Sequence, residues 1–401
     1  MSTLKKDEYV KENGEKLTWH DYAKKVFDLL ISRHPNSKTI IVVNDYYGYD
    51  VINPKDSERI TRGKKFVGGN FPNVYPVGNK ELPTVRLFKD FFKNNNNKER
   101  LQTFLLTEFH SMCQKRGVQM VYCMRNKCIE ISVSPMKEIS RYKNQKIEAD
   151  NAIFYIYNQI RKSGDDTTVV CDASDTDILV TAAFVTTKVS GVLGIKMKKG
   201  IFDCAQLLSK EIAAVAIRAH AMSGTDCISS FFGVGKKTIW KRIMRSKEAQ
   251  QLLMTMDEDS LRKFTIKHVY NDKISKTLAE MRMIRWNNAK KKDFARIGID
   301  EDTHVNRSKR VIFAVSSIEH FNHPEEFGNP LLYGFMVNER MKCVPVKYGK
   351  DALPEKLRQS VLTNSSQQTT TKVTSEGNGD ESDDEEPEDE DGEDSCSEVD
   401  I

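Results

Sequence analysis

The apolar positions of this chain alternate between two periods. Over residues 16–32 they recur at helical spacing, with Tyr22, Val26, Leu29 and Leu30 on one side, and predict an amphipathic helix. The run Lys38-Thr-Ile-Ile-Val-Val-Asn-Asp45 is short and nearly all apolar, the pattern of a strand buried on both faces. A helix is predicted over 101–116, strands over 118–123 and 128–133 around Met-Arg-Asn-Lys, and a helix over 149–161 with Ile153, Ile156 and Ile160 in phase. A second buried strand is predicted over 167–172 and a long helix from about 203 to 222. Beyond about 246 the pattern is mostly helical, including a helix over 272–290 with Ile274, Leu278 and Met281 toward the core. After Gly298 it is ambiguous, and no internal repeat is visible. Strands alternating with helices predict an α/β fold with a mostly parallel sheet flanked by helices.

Composition narrows the class. The 401 residues suggest two or three domains at about 150 residues each. With 39% hydrophobic and 30% charged residues the chain can bury a core, which excludes a wholly disordered or collagen-like protein. No apolar run approaches the roughly 18 residues of a membrane-spanning helix, and the first residues do not read as a secretory signal. The eight cysteines contain no C-x-x-C, so a reducing intracellular compartment is expected rather than a disulfide framework or structural zinc. Charge is split along the chain. Residues 376–401 hold 15 of the 57 acidic residues and no Lys or Arg, so positions 1–375 carry 62 basic against 42 acidic residues, a net of +20. A basic body of this kind points to a polyanionic partner. Residues 362–401, poor in large apolar side chains, read as a disordered acidic tail, either a solvated tail or a competitor for the protein's own basic surface.

The acidic residues of the body fall at informative places. Asp45 ends the first buried strand; Asp175 and Asp177 follow the second. Ligand crevices of parallel sheets lie beyond the carboxyl ends of the strands, where these acids belong. Glu148 and Asp150 open a helix, where a plain helix-dipole role is the alternative. Asp226, in Ser-Gly-Thr-Asp226-Cys, has helix capping as its alternative. Several acids converging at one sheet end repel each other and call for a cation, and hard carboxylate oxygens suit Mg²⁺ or Mn²⁺. Two such ions about 4 Å apart can drive phosphodiester cleavage.

Two basic features accompany them. In Phe231-Phe-Gly-Val-Gly-Lys-Lys-Thr-Ile-Trp-Lys-Arg242, the Gly233–Gly235 turn opens a helix carrying Lys236, Lys237, Lys241 and Arg242. Backbone N–H groups there can approach a phosphate, a helix-hairpin-helix signal; a simple helix cap is the alternative. Lys55, Arg59 and Arg62 are four and three residues apart, so on a helix they share one face.

Taken in order, these motifs resemble the PIN-like nuclease superfamily, in particular flap endonuclease and its structure-specific 5′-nuclease relatives. The resemblance covers residues 16–250. The wording Ser-Asp-Thr-Asp-Ile-Leu-Val and Ser-Gly-Thr-Asp-Cys is most similar to a divergent eukaryotic branch found in transposon-rich genomes. It implies a PIN-like, Rossmann-like domain over 1–250 with the helical hairpin near 224–245, a mostly helical extension over 251–361, and the tail. It further implies a two-metal site built from Asp45, Glu148, Asp150, Asp175, Asp177 and Asp226. Lys55, Arg59 and Arg62 would then act on the scissile phosphate, and a monovalent cation at the hairpin would help hold duplex backbone. The implied partner is nucleic acid, DNA rather than RNA, with no membrane; the expected location is intracellular, nuclear ahead of cytoplasmic, with the run Ala289-Lys-Lys-Lys-Asp a weak nuclear-import signal. The family begins with a strand ending in its first catalytic Asp; here Asp7 lies in a polar stretch, and Asp150 replaces the usual Glu. The competing expectations are therefore an active structure-specific endonuclease, an inactive nucleic-acid binder, and an interaction protein for its own tail or chromatin. His320 and His323, the pair Cys123 and Cys128, and Phe231, Phe232 and Trp240 read as structural.

Overall fold

The computed structural model describes residues 15–47, 51–56, 77–78, 81–82, 91–92, 94–132, 134–164, 166–173, 175–289, 296–339 and 341–346. The chain divides into two units, Met1–Ala352 and Leu353–Ile401, the second of which lies outside the described residues, as does the expected acidic tail. Ten α-helices and three small sheets make up the described part, and no helix there is long and apolar enough to cross a membrane.

Helix α1 (Trp19–Arg33) starts at a capping box in which Thr18 and Asp21 satisfy each other's backbone N–H. Its Trp19, Tyr22, Ala23 and Phe27 are buried, whereas Leu29, expected on the same face, is 46% exposed. Strand β1 (Ile40–Val43) is followed by α2 (Asn95–Arg116) and returns in parallel to β2 (Met120–Met124). A tight turn through Asn126, with φ +59°, reverses the chain into β3 (Lys127–Ile131), and β4 (Lys137–Glu138) completes the order β1-β2-β3-β4. Cys123 and Cys128 are cross-strand partners, buried and reduced. The second sheet has the order β5 (Val169–Asp172), β6 (Leu193–Met197) and β7 (Gly200–Asp203), with β5 and β6 parallel and β7 antiparallel.

The expected mostly parallel sheet is thus corrected to two mixed sheets with one parallel pair each. Short turns can join only antiparallel neighbours, and each sheet contains at least one such hairpin. Neither buried-strand expectation holds in full: β1 is half-buried along its length, and Val170 of β5 is 37% exposed, because each is an end strand among the described residues. Helix α3 (Ala149–Lys162) serves both sheets. Its Tyr155, Ile156 and Ile160 pack with Ile41 and Val43 of β1 and Val169 of β5. Asp172 fastens β5 to the end of α1, 2.5 Å from Arg33 and 2.9 Å from His34.

The long helix expected over 203–222 is interrupted. β7 runs to Asp203, which caps a short 3₁₀ turn, and α5 (Lys210–Ser223) begins only after Ser209 caps it through Ile212 N–H. Between β5 and β6 in the chain lies α4 (Thr176–Val185), packed on α5. Helices α6 (Lys236–Met244), α7 (Lys247–Thr255), α8 (Glu258–Phe264) and α9 (Leu278–Asn288) extend the same core. α9 is shorter than its expected 272–290, because Asp272 accepts from Ile274 N–H and Ser275 N–H in a turn, leaving Ile274 81% exposed. The ambiguous stretch after Gly298 is α10 (Glu301–Glu319), capped by Asp300, followed by the hairpin β8 (Phe335–Val337) and β9 (Cys343–Pro345).

Residues beyond 300 return to brace the middle of the chain. Arg218 of α5 meets Glu319 at 2.7 Å. Gln145 N–H donates to Pro324 C=O, Lys146 Nζ to Glu325 C=O and Ile147 N–H to the Glu326 carboxylate, all within 2.8 Å. Cys343 N–H donates to Asp56 at 3.2 Å. His320 hydrogen-bonds Ser316 C=O and stacks near Phe327, a structural role. The strongest brace is Arg307, only 2% exposed, which donates to Met222 C=O at 2.6 Å and Ser229 C=O at 3.1 Å and lies 3.8 Å over the Phe231 ring. Replacing it leaves two carbonyls unmet and removes a desolvated cation–π interaction. Arg307→Met is expected to lose roughly 2–4 kcal/mol in urea unfolding; a loss under about 0.5 kcal/mol would show that water replaces the guanidinium.

Candidate active site

The end of β1 delivers Asp45, whose Oδ1 accepts Ala149 N–H at 2.9 Å and whose Oδ2 accepts the Tyr47 hydroxyl at 3.1 Å. Asp45 therefore answers the first orphan N–H of α3. Glu148 occupies the N-cap position but makes no capping hydrogen bond. Its carboxylate turns instead to Lys55 Nζ at 3.0 Å and Asn53 Nδ2 at 3.3 Å, so Glu148 is more than a partner of the helix dipole. Asp150 follows in the first turn of α3.

Asp175 caps α4 by accepting Asp177 N–H at 2.9 Å, and Asp177 pairs with His220 Nε2 at 3.2 Å and Lys236 Nζ at 3.9 Å. Asp226 is not a helix cap. It stands on a turn closed by reciprocal bonds between Thr225 and Ile228, with its carboxylate 3.2 Å from Lys55 Nζ. Gly224, at φ +114°, makes that turn possible: a Cβ there would lie 3.0 Å from the backbone of Ser230. Five of the acids, all but Asp45, line one cavity of about 160 Å³ with Lys55 and His220, over an apolar floor that includes Ile178, Phe313 and Phe335.

The electrostatics reflect this crowding. Burial, together with the charges of Asp45, Glu148 and Asp175 and against the pull of Lys55, pushes the Asp150 carboxyl up to about 6. Burial also opposes the Asp177 charge, yet the His220 hydrogen bond, with Lys236 and Lys55 behind it, holds Asp177 below the usual carboxylate range. Desolvation opposes the Lys55 ammonium, and Glu148, Asp150 and Asp226 outweigh it, raising its pKa well above that of an ordinary lysine.

The six acids read from the sequence thus come together with Lys55. Arg59 and Arg62 lie outside the described residues. Among the basic residues near the Gly233–Gly235 turn, Lys236 joins the cluster through Asp177, while Lys237 and Lys241 are exposed. Arg242 is taken up internally, donating to the carbonyls of His268 and Val269. Gly235 is the N-cap of α6 and supplies no side-chain cap. Phe231 is buried as expected and Trp240 is partly buried against the core, but Phe232 is 58% exposed at the turn rather than packed. Sequence reading missed His220 and Asn53. A polar residue in the apolar run Ala-Val-Ala-Ile-Arg-Ala-His220-Ala-Met was the available signal for the first.

No family model matches this chain, and neither does any curated protein or solved structure. The donor set is all carboxylate oxygen, which suits Mg²⁺ or Mn²⁺ and excludes soft metals by chemistry. The Asp150 carboxyl is raised in pKa first by burial and then by neighbouring negative charge. Among the described residues, however, no three His, Cys, Asp or Glu side chains stand arranged to hold a metal ion, and a lysine ammonium bridges three of the acids instead.

Because the fold raises the Asp150 pKa, its charged form is disfavoured; the cost is full above about pH 6 and disappears as pH falls toward its ordinary 3.8. Asp150→Asn should therefore raise the melting temperature at pH 8 by roughly 1–3 °C, a modest figure because solvent screens the half-exposed carboxylate. The gain should vanish by about pH 4. A variant less stable than the parent at pH 8 would mean that the Lys55 ion pair outweighs the crowding.

Proposed function

We propose that this chain is a metal-dependent nuclease of the PIN-like, flap endonuclease-like kind, acting on branched or single-strand-tailed DNA. The carrying observation is the convergence of Asp45, Glu148, Asp150, Asp175, Asp177 and Asp226, drawn from four separate stretches, beside the basic start of α6. In this reading the two sheets on α3 are the halves of a PIN-like domain, and 224–245 is a helix-hairpin-helix element. A divalent ion, when bound, supplies water activation and stabilisation of the leaving oxygen. The six acids are the residues that would hold it, although among the described residues no three already stand arranged to do so. Lys236, Lys237 and Lys241, with the N–H groups that open α6, grip backbone phosphate without reading sequence. His220 keeps Asp177 ionised and oriented. A nuclear location and competition between DNA and the acidic residues 376–401 for the basic surface go with this reading.

A second reading, a non-cutting nucleic-acid binder, is favoured by the Lys55 bridge across Glu148, Asp150 and Asp226. Cleavage of labelled flap, splayed-arm and single-stranded oligonucleotides with Mg²⁺ or Mn²⁺ separates the two. Asp175→Asn is expected to lower cleavage at least 100-fold while leaving DNA affinity within about threefold, since charge is lost but not shape. Cleavage by Asp175→Asn at the parent's rate would end the nuclease reading, and tight binding without any cleavage would establish the second.

The hairpin has its own test. Lys236→Ala with Lys237→Ala should weaken binding equally across sequences and reduce the slope of log affinity against log salt by about 2, near 1 for each phosphate that is no longer neutralised. Weakening confined to particular sequences would contradict it.

A further inference from the structure

Among the described residues every other Phe, Tyr and Trp is buried or half-buried; Phe232 alone is exposed, at 58%. A ring left in water forgoes roughly 1–2 kcal/mol of burial. The turn that carries it is held from both sides. Phe231, 3% exposed, is locked between the Arg307 guanidinium, 3.8 Å from its centroid, and the edge-on Tyr270 ring at 5.8 Å. Val234 N–H returns to Phe231 C=O at 3.2 Å, and Gly233 between them takes φ +71°. Among the described residues a Cβ added at Gly233 or Gly235 would meet nothing within 4 Å, so the turn is open on its outer side. Its surroundings fit one kind of partner. Lys236, Lys237 and Lys241 follow on α6, all exposed, and Lys236 Nζ lies 3.9 Å from Asp177 of the acid cavity. A flat apolar ring among lysines suits a partner that joins flat apolar faces to negative charge, which is nucleic acid. Phe232 stands four residues before Lys236, at most about 14 Å of chain, and so lies close to the acids.

Resting on the nucleic-acid reading above, we propose that Phe232 is a stacking platform for an unpaired or strand-terminal base, and that it makes the chain prefer a branched or tailed end to continuous duplex. Inside a duplex both faces of every base are already stacked, so the ring has nothing to cover without opening a step, at a cost of a few kcal/mol. At a junction or a tail one face is free, and covering it is worth about 1–3 kcal/mol. The lysines draw no such distinction, since phosphate contacts position a strand without reading its bases. Charge thus supplies affinity, and the ring selects structure.

Binding of the full chain to DNA probes without divalent metal tests this apart from cleavage. The probes are a flap, a continuous duplex of equal length, and the flap with 2-aminopurine as its first unpaired base. Phe232→Ala is expected to weaken flap binding about fivefold or more and duplex binding less than about twofold. The 2-aminopurine fluorescence, quenched when the parent binds, should stay bright with Phe232→Ala and be quenched again with Phe232→Trp. Lys236→Ala with Lys237→Ala should weaken binding to flap and duplex alike. Because the ring is exposed, Phe232→Ala should melt within about 2 °C of the parent, so that a change in binding is not a loss of fold. The same flap-to-duplex preference in the parent and Phe232→Ala would overturn the inference, leave the nuclease reading standing and assign the ring to another partner, such as an apolar protein surface. No DNA binding by the parent at low salt would overturn both.

Discussion

Repulsion between carboxylates is the constraint around which the rest of this molecule is organised. Two like charges 5 Å apart cost roughly 3 kcal/mol at an effective dielectric of 20, and here six acids share one neighbourhood. The fold meets the cost with three devices. Asp45 and Asp175 are turned onto the backbone N–H groups that open α3 and α4, where helix dipoles favour negative charge. Lys55 bridges Glu148, Asp150 and Asp226, and His220 and Lys236 take Asp177. Asp150 keeps a raised pKa, chiefly because it is buried and then because of the charges of Asp45, Glu148 and Asp175, against the pull of Lys55. An arrangement that needs this much compensation is a poor route to stability, which is why a functional reading of the site is preferred to a structural one.

The compensation depends on geometry set far away in the chain. The loop before α3 is held by Pro324, Glu325 and Glu326, and the Lys55 turn by Cys343. The Asp226 turn leans on Arg307 through Met222 and Ser229. Helix α10 and the hairpin behind it thus act on the site, and the segment between them adds the Glu326 carboxylate to the cavity lining. Their role is to hold the loops at the separations that Lys55 and His220 require.

Much of this was legible in the sequence, and the reasons for the rest are physical. Asp45, Glu148, Asp150, Asp175, Asp177 and Asp226 could be found because acids following apolar runs or opening helices stand out against local periodicity. Helices α1 and α3 were found near their true bounds, whereas α2 begins at Asn95 ahead of its expected start and α4, capped by Asp175, was not expected at all. The errors came where local chemistry overrode periodicity: Asp203 and Ser209 each start a new turn inside an apolar stretch, and Asp272 folds its own neighbours into a turn. Strands β6 and β7 were missed because their few residues carry too little alternation to register. Burial was misjudged at Leu29, Val170, Ile274 and Phe232, since apolar character says nothing of whether a neighbour arrives to cover it. That Lys55 would face inward, and that Glu148 would leave its helix cap to Asp45, followed from pairings nearly a hundred residues apart that no local window contains.

The clamp between the loop before α3 and residues 324–326 also orders events in time. Those partners are 179 residues apart in the chain. Pairings of such separation form late, after the local helices and hairpins have closed, because the entropy of bringing the ends together must be met first. On the ribosome, where synthesis runs at about 5–20 residues per second, Glu148 emerges many seconds before the segment that fixes it. The two sheets and their helices can therefore assemble before the loop ahead of α3 is clamped to residues 324–326. The clamp on the loop before α3 is thus expected to be among the last contacts to close, when the last long helix and hairpin dock.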